Sequence, residues 1–146
     1  ALQSEILEVS AYRLWLPLSH RLTTTEIIGI GDLAGEPLIM LTVDETEENT
    51  GKLLAAIGAK PNVAFRTRSV EAVRSLVATG AGVALLPDLV YRPWSLEGDR
   101  IEQRDVSGSL PVVQVGMVWR RGSGLPQAAR DFIGLAQAQR TVRQRF

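Results

Sequence analysis

SVEAVRSLVATGAGVALLPDLV, Ser69 to Val90, reads as a complete helix, turn and buried strand, with no catalytic residue type at the turn. Ser69 is placed to cap the helix by accepting a hydrogen bond from an early backbone N–H, and Glu71 in the first turn complements the positive end of the helix dipole. Val70, Val73, Leu76 and Val77 fall on one face at helical spacing. Gly80 follows the last periodic residue, where a left-handed position favours glycine, and Gly82 offers a second permissive point. Val83 to Leu86 is a continuous apolar run, the pattern of a central parallel strand covered on both faces, and Pro87 ends it. Such a unit is suited to holding a molecule rather than reacting with one.

The flanking segments extend the pattern. AYRLWLPL, Ala11 to Leu18, has strand character, and Pro17 ends the ladder because it lacks an N–H. Residues 19–36 mix turn formers with short apolar pieces and predict irregular structure with one helical turn at Gly31 to Ala34. PLIMLTV, Pro37 to Val43, is a second buried strand. The acidic stretch DETEENT is expected as a loop leading into a helix that begins near Asn49 and ends near Ile57, with Gly58 as stop signal. NVAFRT, Asn62 to Thr67, is a third strand. The order β-α-β-α-β predicts an α/β fold with a mostly parallel sheet and helices on its faces. Beyond Pro87 come a short helix at Asp88 to Arg92, a turn at Glu97 to Arg100 and an edge strand in IEQRDV. Val112 to Arg121 forms a long strand with Val113, Val115, Met117 and Trp119 on one face. Pro126 then stands at the first position of a last helix that presents Ala129, Phe132, Ile133 and Ala136 to a core.

Composition narrows the function. The chain has 146 residues, 45% hydrophobic and 22% charged, which suits one domain with an ordinary core. Sixteen basic and sixteen acidic residues cancel, whereas a polyanion-binding surface carries a basic excess, so these residues alone are not expected to bind DNA or RNA. Arg140, Arg143 and Arg145 form the one basic run and are expected to be a solvated, frayed terminus. The absence of cysteine excludes disulfides and thiolate metal sites here and fits a cytoplasmic location. No apolar run is long enough to cross a bilayer, and the first residues lack the layout of a signal peptide, so no membrane partner is expected.

No constellation supports catalysis, a metal or a cofactor. GIGDLAG, Gly29 to Gly35, approaches a dinucleotide fingerprint, but Pro37 stops any helix that would present amides to a pyrophosphate, leaving a glycine-rich surface turn. His20 beside Ser19 has no glycine elbow or oxyanion motif nearby, which argues against hydrolase chemistry. The DETEENT carboxylates lack calcium-loop spacing and the central glycine. A ligand site is more plausible at the carboxyl ends of the strands, Leu41 to Asp44 and Arg66, Thr67 and Arg68, facing helices that begin near Asn49 and Ser69. A helix N-terminus suits an anion, for which Asp44, Glu45, Glu47 and Glu48 compete. An anionic ligand is therefore expected to be held mainly by Arg66 or Arg68; the alternative is that the acids are simply solvated and complement the dipole.

Four segments together resemble the C-terminal effector-binding region of LysR-type transcriptional regulators. LPLSHRL, Leu16 to Leu22, is similar to the family's strand ending in proline and followed by histidine and leucine, with Arg21 where proline is usual. DLAGEPLI, Asp32 to Ile39, resembles its short helix running into the first strand of the second lobe. VEAVRSLVATGAGVALLP, Val70 to Pro87, is the longest match, and VGMVWRRGSGLPQAARDFIGLA, Val115 to Ala136, resembles the return strand and closing helix.

The resemblance implies a periplasmic-binding-protein-like (type 2) effector domain of two α/β lobes joined by crossing strands. Residues 1–16 would be a crossing strand with a remnant of the first lobe, 17–111 the second lobe, and 112–146 the return strand and closing helix of the first lobe. It also implies a small-molecule effector, such as a small carboxylate, bound in a cleft between the lobes and touching Leu16, Thr42, Val43, Asp44, Asn49 and Thr50. The partners implied are a second copy of the chain, as homodimer or tetramer, and DNA through an N-terminal helix-turn-helix that has no counterpart in these residues. The chain is thus expected to be a sensing and oligomerising fragment of a cytoplasmic bacterial regulator, and not an enzyme. A lobe of a solute-binding protein for transport shares the architecture and is the alternative.

Overall fold

The chain runs β1 (Leu2–Pro17), β2 (Pro37–Leu41), α1 (Thr46–Ala55), β3 (Asn62–Thr67), α2 (Val70–Ala78), β4 (Ala84–Pro87), β5 (Ile101–Arg104), β6 (Val112–Arg120) and α3 (Gln127–Gln144), with 3₁₀ turns at Arg21–Thr24, Ile30–Leu33 and Asp88–Val90. This computed structural model describes residues 1–122 and 124–144, and the side chains of all of these except 141–144. It divides into two compact units, one built from Ala1–Ser10 and the chain from Val112 onward, the other from Ala11–Pro111.

The larger unit is organised by the stretch around α2. Ser69 Oγ accepts the Ala72 N–H at 3.1 Å, closing the helix N-terminus. At the other end Gly80, with φ +84°, lets its own N–H reach the Val77 carbonyl and the Ala81 N–H reach the Leu76 carbonyl, a paired closure that satisfies two terminal carbonyls. β4 then departs from expectation. It pairs antiparallel with β1 (Leu14 opposite Leu85), and its parallel link to β2 is one bridge between Leu38 and Val83. Two 2.8 Å hydrogen bonds, Val83 N–H to Pro37 O and Ile39 N–H to Val83 O, make that bridge. Because β2 and β3 are parallel and β5 lies antiparallel on the far side of β1, the strands follow one another as β3, β2, β4, β1, β5. The sheet is therefore mixed: β1 enters against the direction of the others and separates β4 from β5.

Alternation along the strands supplies two buried faces. Trp15, Ile39, Leu41, Ala84, Leu86 and Ile101 meet Val73 and Val77 of α2 in one cluster. Tyr12, Leu14, Leu16, Leu38 and Met40, out of phase with these, are also buried, as is Leu54 of α1. Each such large side chain contributes roughly 1.5–3 kcal/mol of burial. Arg74, at helical spacing from Val70 and Val77, is 2% exposed among them. Its guanidinium pairs with Glu71, donates to the Val90 carbonyl at 2.8 Å and lies 5.5 Å over the Trp15 ring, so the charge is compensated where it is buried. Burial raises the pKa of the Tyr91 phenol, whose O–H donates to the Ile101 carbonyl, and the Ser75 hydroxyl lowers the pKa of the Glu97 carboxyl that it reaches at 2.7 Å.

Two side chains fix the segment between β1 and β2. His20 caps the first 3₁₀ turn, its Nδ1 accepting the Leu22 N–H at 3.1 Å, and its Nε2 lies 3.1 Å from Glu36 Oε2. Both nitrogens are thus engaged within the fold. Arg104 of β5 donates to the carbonyls of Leu22, Thr23, Thr25 and Glu26 at 2.5–3.3 Å.

In the smaller unit, Arg121 N–H donates to Ala1 O and Gly116 lies against the Glu5 carbonyl, so β6 runs opposite to the first half of β1. α3 begins at Gln127, one residue beyond the expected start, so Pro126 precedes it. Arg140 is not simply solvated: it pairs with Glu5 at 3.3 Å, and Gln137 donates to the same carboxylate. The side chains of Arg143 and Arg145 lie outside the described residues. Phe132, expected to face a core, is 64% exposed, because it lines an open apolar groove with Met117, Val118 and Trp119 of β6 instead of being enclosed; Leu135, Leu2 and Val118 are exposed as well.

Candidate functional site

Because β2 and β3 are parallel, their carboxyl ends and the N-termini of α1 and α2 open on the same edge of the larger unit. Thr42 and Thr67 tie the strand ends together: the Thr42 N–H and hydroxyl both reach the Thr67 carbonyl, at 2.9 and 3.4 Å, and Thr67 Oγ1 accepts the Ser69 N–H. The helix after β2 starts at Thr46, three residues earlier than expected, so most of the acidic stretch is helix rather than loop. Glu47 and Glu48 occupy its first turn, where carboxylates are favoured, and no side chain caps it.

The turn into α1 passes through Asp44, whose φ of +53° marks it as the one non-glycine residue with positive φ among the described residues. Aspartate tolerates this conformation better than most side chains, and a β-branched residue there is strained. Asp44→Val is expected to lower stability by about 1–2 kcal/mol, read from urea unfolding curves.

The expected ligand residues divide into two sets. Thr42, Val43, Asp44, Asn49, Arg66 and Thr67 lie at this edge with at least part of their surface open. Leu16 and Thr50 do not offer a surface. Leu16 is fully buried opposite Glu102, and Thr50 is 2% exposed with its hydroxyl turned back to the Thr46 carbonyl, so both serve packing. Arg66 is not idle: its Nε donates to Glu47 Oε1 at 2.6 Å, an exposed ion pair that joins β3 to α1. Arg68 makes no hydrogen bond or ion pair among the described residues and is exposed.

Tyr12 joins this edge without having been expected there. It lies opposite Pro87, the last residue of β4, and its hydroxyl accepts from Asn49 Nδ2 at 3.2 Å. The sequence places Tyr12 on the same strand face as Leu14 and Leu16, but only the register against β4 shows that it reaches the carboxyl edge. The edge therefore presents hydroxyls, an amide, backbone amides of two helix starts and two guanidinium groups, an arrangement fitted to hold a small polar molecule. Among the described residues no group of three or more His, Cys, Asp or Glu is placed to hold a metal, and no helix is long and apolar enough to cross a membrane.

Comparison with known proteins adds to this geometry. The family described as LysR substrate binding domain matches residues 1–141. The DNA-binding transcriptional dual regulator OxyR of Escherichia coli K12 is 33% identical over 114 residues, covering 73% of this chain and 35% of that protein. The hydrogen peroxide-inducible genes activator of Escherichia coli O157:H7 matches with the same identity and coverage. The crystal structure of HinK, a LysR family transcriptional regulator from Pseudomonas aeruginosa, superposes with a TM-score of 0.80 at 26% identity, covering 94% of this chain and 48% of that one. The chain thus spans about a third of the length of these curated relatives.

Proposed function

This chain belongs to the LysR substrate binding domain family, and from that premise we propose that it is the effector-sensing region of a bacterial LysR-type transcription regulator acting in the cytoplasm, with no catalytic activity of its own. The observation that carries the proposal is the shared edge at which Thr42 and Thr67 join two strand ends beneath the starts of α1 and α2. The transcription regulators among its relatives favour this over a lobe of a transport protein. A small molecule that prefers one arrangement of the regulator shifts the equilibrium by its difference in affinity, and so changes how a helix-turn-helix elsewhere in the protein meets DNA. Pairing with further copies of the chain, as dimer or tetramer, is part of the same proposal. These residues contain no cysteine, so within them the signal is a bound ligand rather than thiol oxidation.

The ligand proposed is a small carboxylate at the carboxyl edge, near Thr42, Val43, Asp44, Asn49 and Thr67. Arg68 is open to it, and Arg66 reaches it by exchanging the Glu47 carboxylate for that of the ligand. Arg66→Ala removes one of two guanidinium groups and leaves Glu47 uncompensated beside the ligand. Calorimetric titration with a panel of small acids is expected to show at least a tenfold loss of affinity in Arg66→Ala, about 1.4 kcal/mol or more. Equal affinity in both proteins would overturn the carboxylate assignment.

A further inference from the structure

His20 is the sole histidine of the chain, and its ring is 14% exposed between the first 3₁₀ turn and the segment that leads into β2. Its two nitrogens have fixed and different tasks. Nδ1 accepts the Leu22 N–H at 3.1 Å, which requires a lone pair there. The ring proton therefore sits on Nε2, facing Glu36 Oε2 at 3.1 Å. The charged groups around the ring are Glu36, whose Oε2 lies 3.1 Å from Nε2, and Arg21, which holds the other oxygen of Glu36 at 2.7 Å. Arg104 binds carbonyls of the same turn from β5, and the Asp32 carboxylate is engaged by the Gly29 N–H.

We propose that His20 makes the Arg21–Thr24 turn a proton-operated latch. When the ring is neutral, the cap is closed. When it gains a proton, Nδ1–H faces the Leu22 N–H donor to donor: the bond to Glu36 becomes an ion pair, and the cap must open. The carbonyl side of the turn stays with Arg104, whose charge does not change in this range, so the opening is confined to the amide side. Histidine is the side chain whose ordinary titration lies between pH 5 and 8, which sets the range over which the latch is tested. It lies beyond the carboxyl end of β1, which runs against β4, and thus at the end of the sheet opposite the Thr42–Thr67 edge. The latch is independent of the ligand proposed for that edge.

Nitrogen-15 NMR of the 146-residue chain between pH 5 and 8 tests this without ambiguity, since one histidine gives one set of ring signals. At pH 8 the ring nitrogens should report the Nε2–H form. On acidification, Leu22 amide exchange, corrected for its intrinsic pH dependence, should speed up about fivefold, the equivalent of losing one capping bond. That change should share its midpoint with the ring titration. His20→Asn, which keeps a cap acceptor that cannot titrate, should fold and hold Leu22 protection constant over the range. A ring that stays neutral to pH 5, an Nδ1–H form at pH 8, or ring titration with unchanged Leu22 protection would each overturn the proposal.

Discussion

Trp15→Ala is expected to destabilise the larger unit by about 4 kcal/mol, a large part of the margin by which a domain of this size is folded. Trp15 has no exposed surface and touches the shared cluster of β1, β2, β4, β5 and α2. Its ring meets Tyr91 edge-on, with centroids 5.9 Å apart and planes at 70°, and lies under the Arg74 guanidinium. Alanine removes the largest side chain of the core and also the face over which the buried Arg74 charge is placed. The indole N–H has no hydrogen-bond partner among the described residues, so the aromatic body rather than the polar tip is what stabilises. Trp15→Phe should accordingly cost well under half as much. Urea unfolding of both variants provides the measurement, and equal losses would show that the indole N–H matters after all.

Gly82→Ala is expected to cost about 2–3 kcal/mol, although the turn that contains Gly82 looks permissive. A Cβ at Gly82 would stand 2.5 Å from the Pro37 carbonyl oxygen and 3.1–3.2 Å from the Ile39 side chain. The oxygen is the same one that accepts the Val83 N–H, so the methyl group pushes β4 away at the bridge that joins it to β2. Gly51→Ala is the control: nothing lies within 4 Å of a Cβ there, and alanine in the middle of α1 should stabilise by about 1 kcal/mol. If the two substitutions had similar effects, close approach would not be the reason for Gly82.

What was legible in the sequence follows from how local each signal is. The Ser69 cap and the Gly80 closure are settled by a few neighbouring residues, and both appear as read. The run Val83 to Leu86 reports burial on both faces but carries no information about the direction of a neighbour, which is why the antiparallel pairing of β4 with β1 was not foreseen. The acidic stretch after β2 hid a helix start because its first turn is stabilised by charge, not by apolar periodicity. Arg74 was overlooked for the opposite reason: it occupies an inward position of the helical pattern, and only Glu71, Val90 and Trp15 together make that position tolerable. Strand-end logic places Thr42, Asn49, Arg66 and Thr67 at the carboxyl edge, where they lie, whereas the position of Tyr12 and the burial of Leu16 and Thr50 depend on register and packing from distant parts of the chain.

The four carbonyls gathered by Arg104 come from residues about 80 positions earlier in the chain. Until β5 has docked beside β1, Arg104 is not in place to hold those carbonyls. The His20 cap can form locally, but the clamp on Leu22 to Glu26 waits for one of the longest loop closures of the larger unit, and it belongs to the late part of folding, after the local α2 and β4 unit has formed.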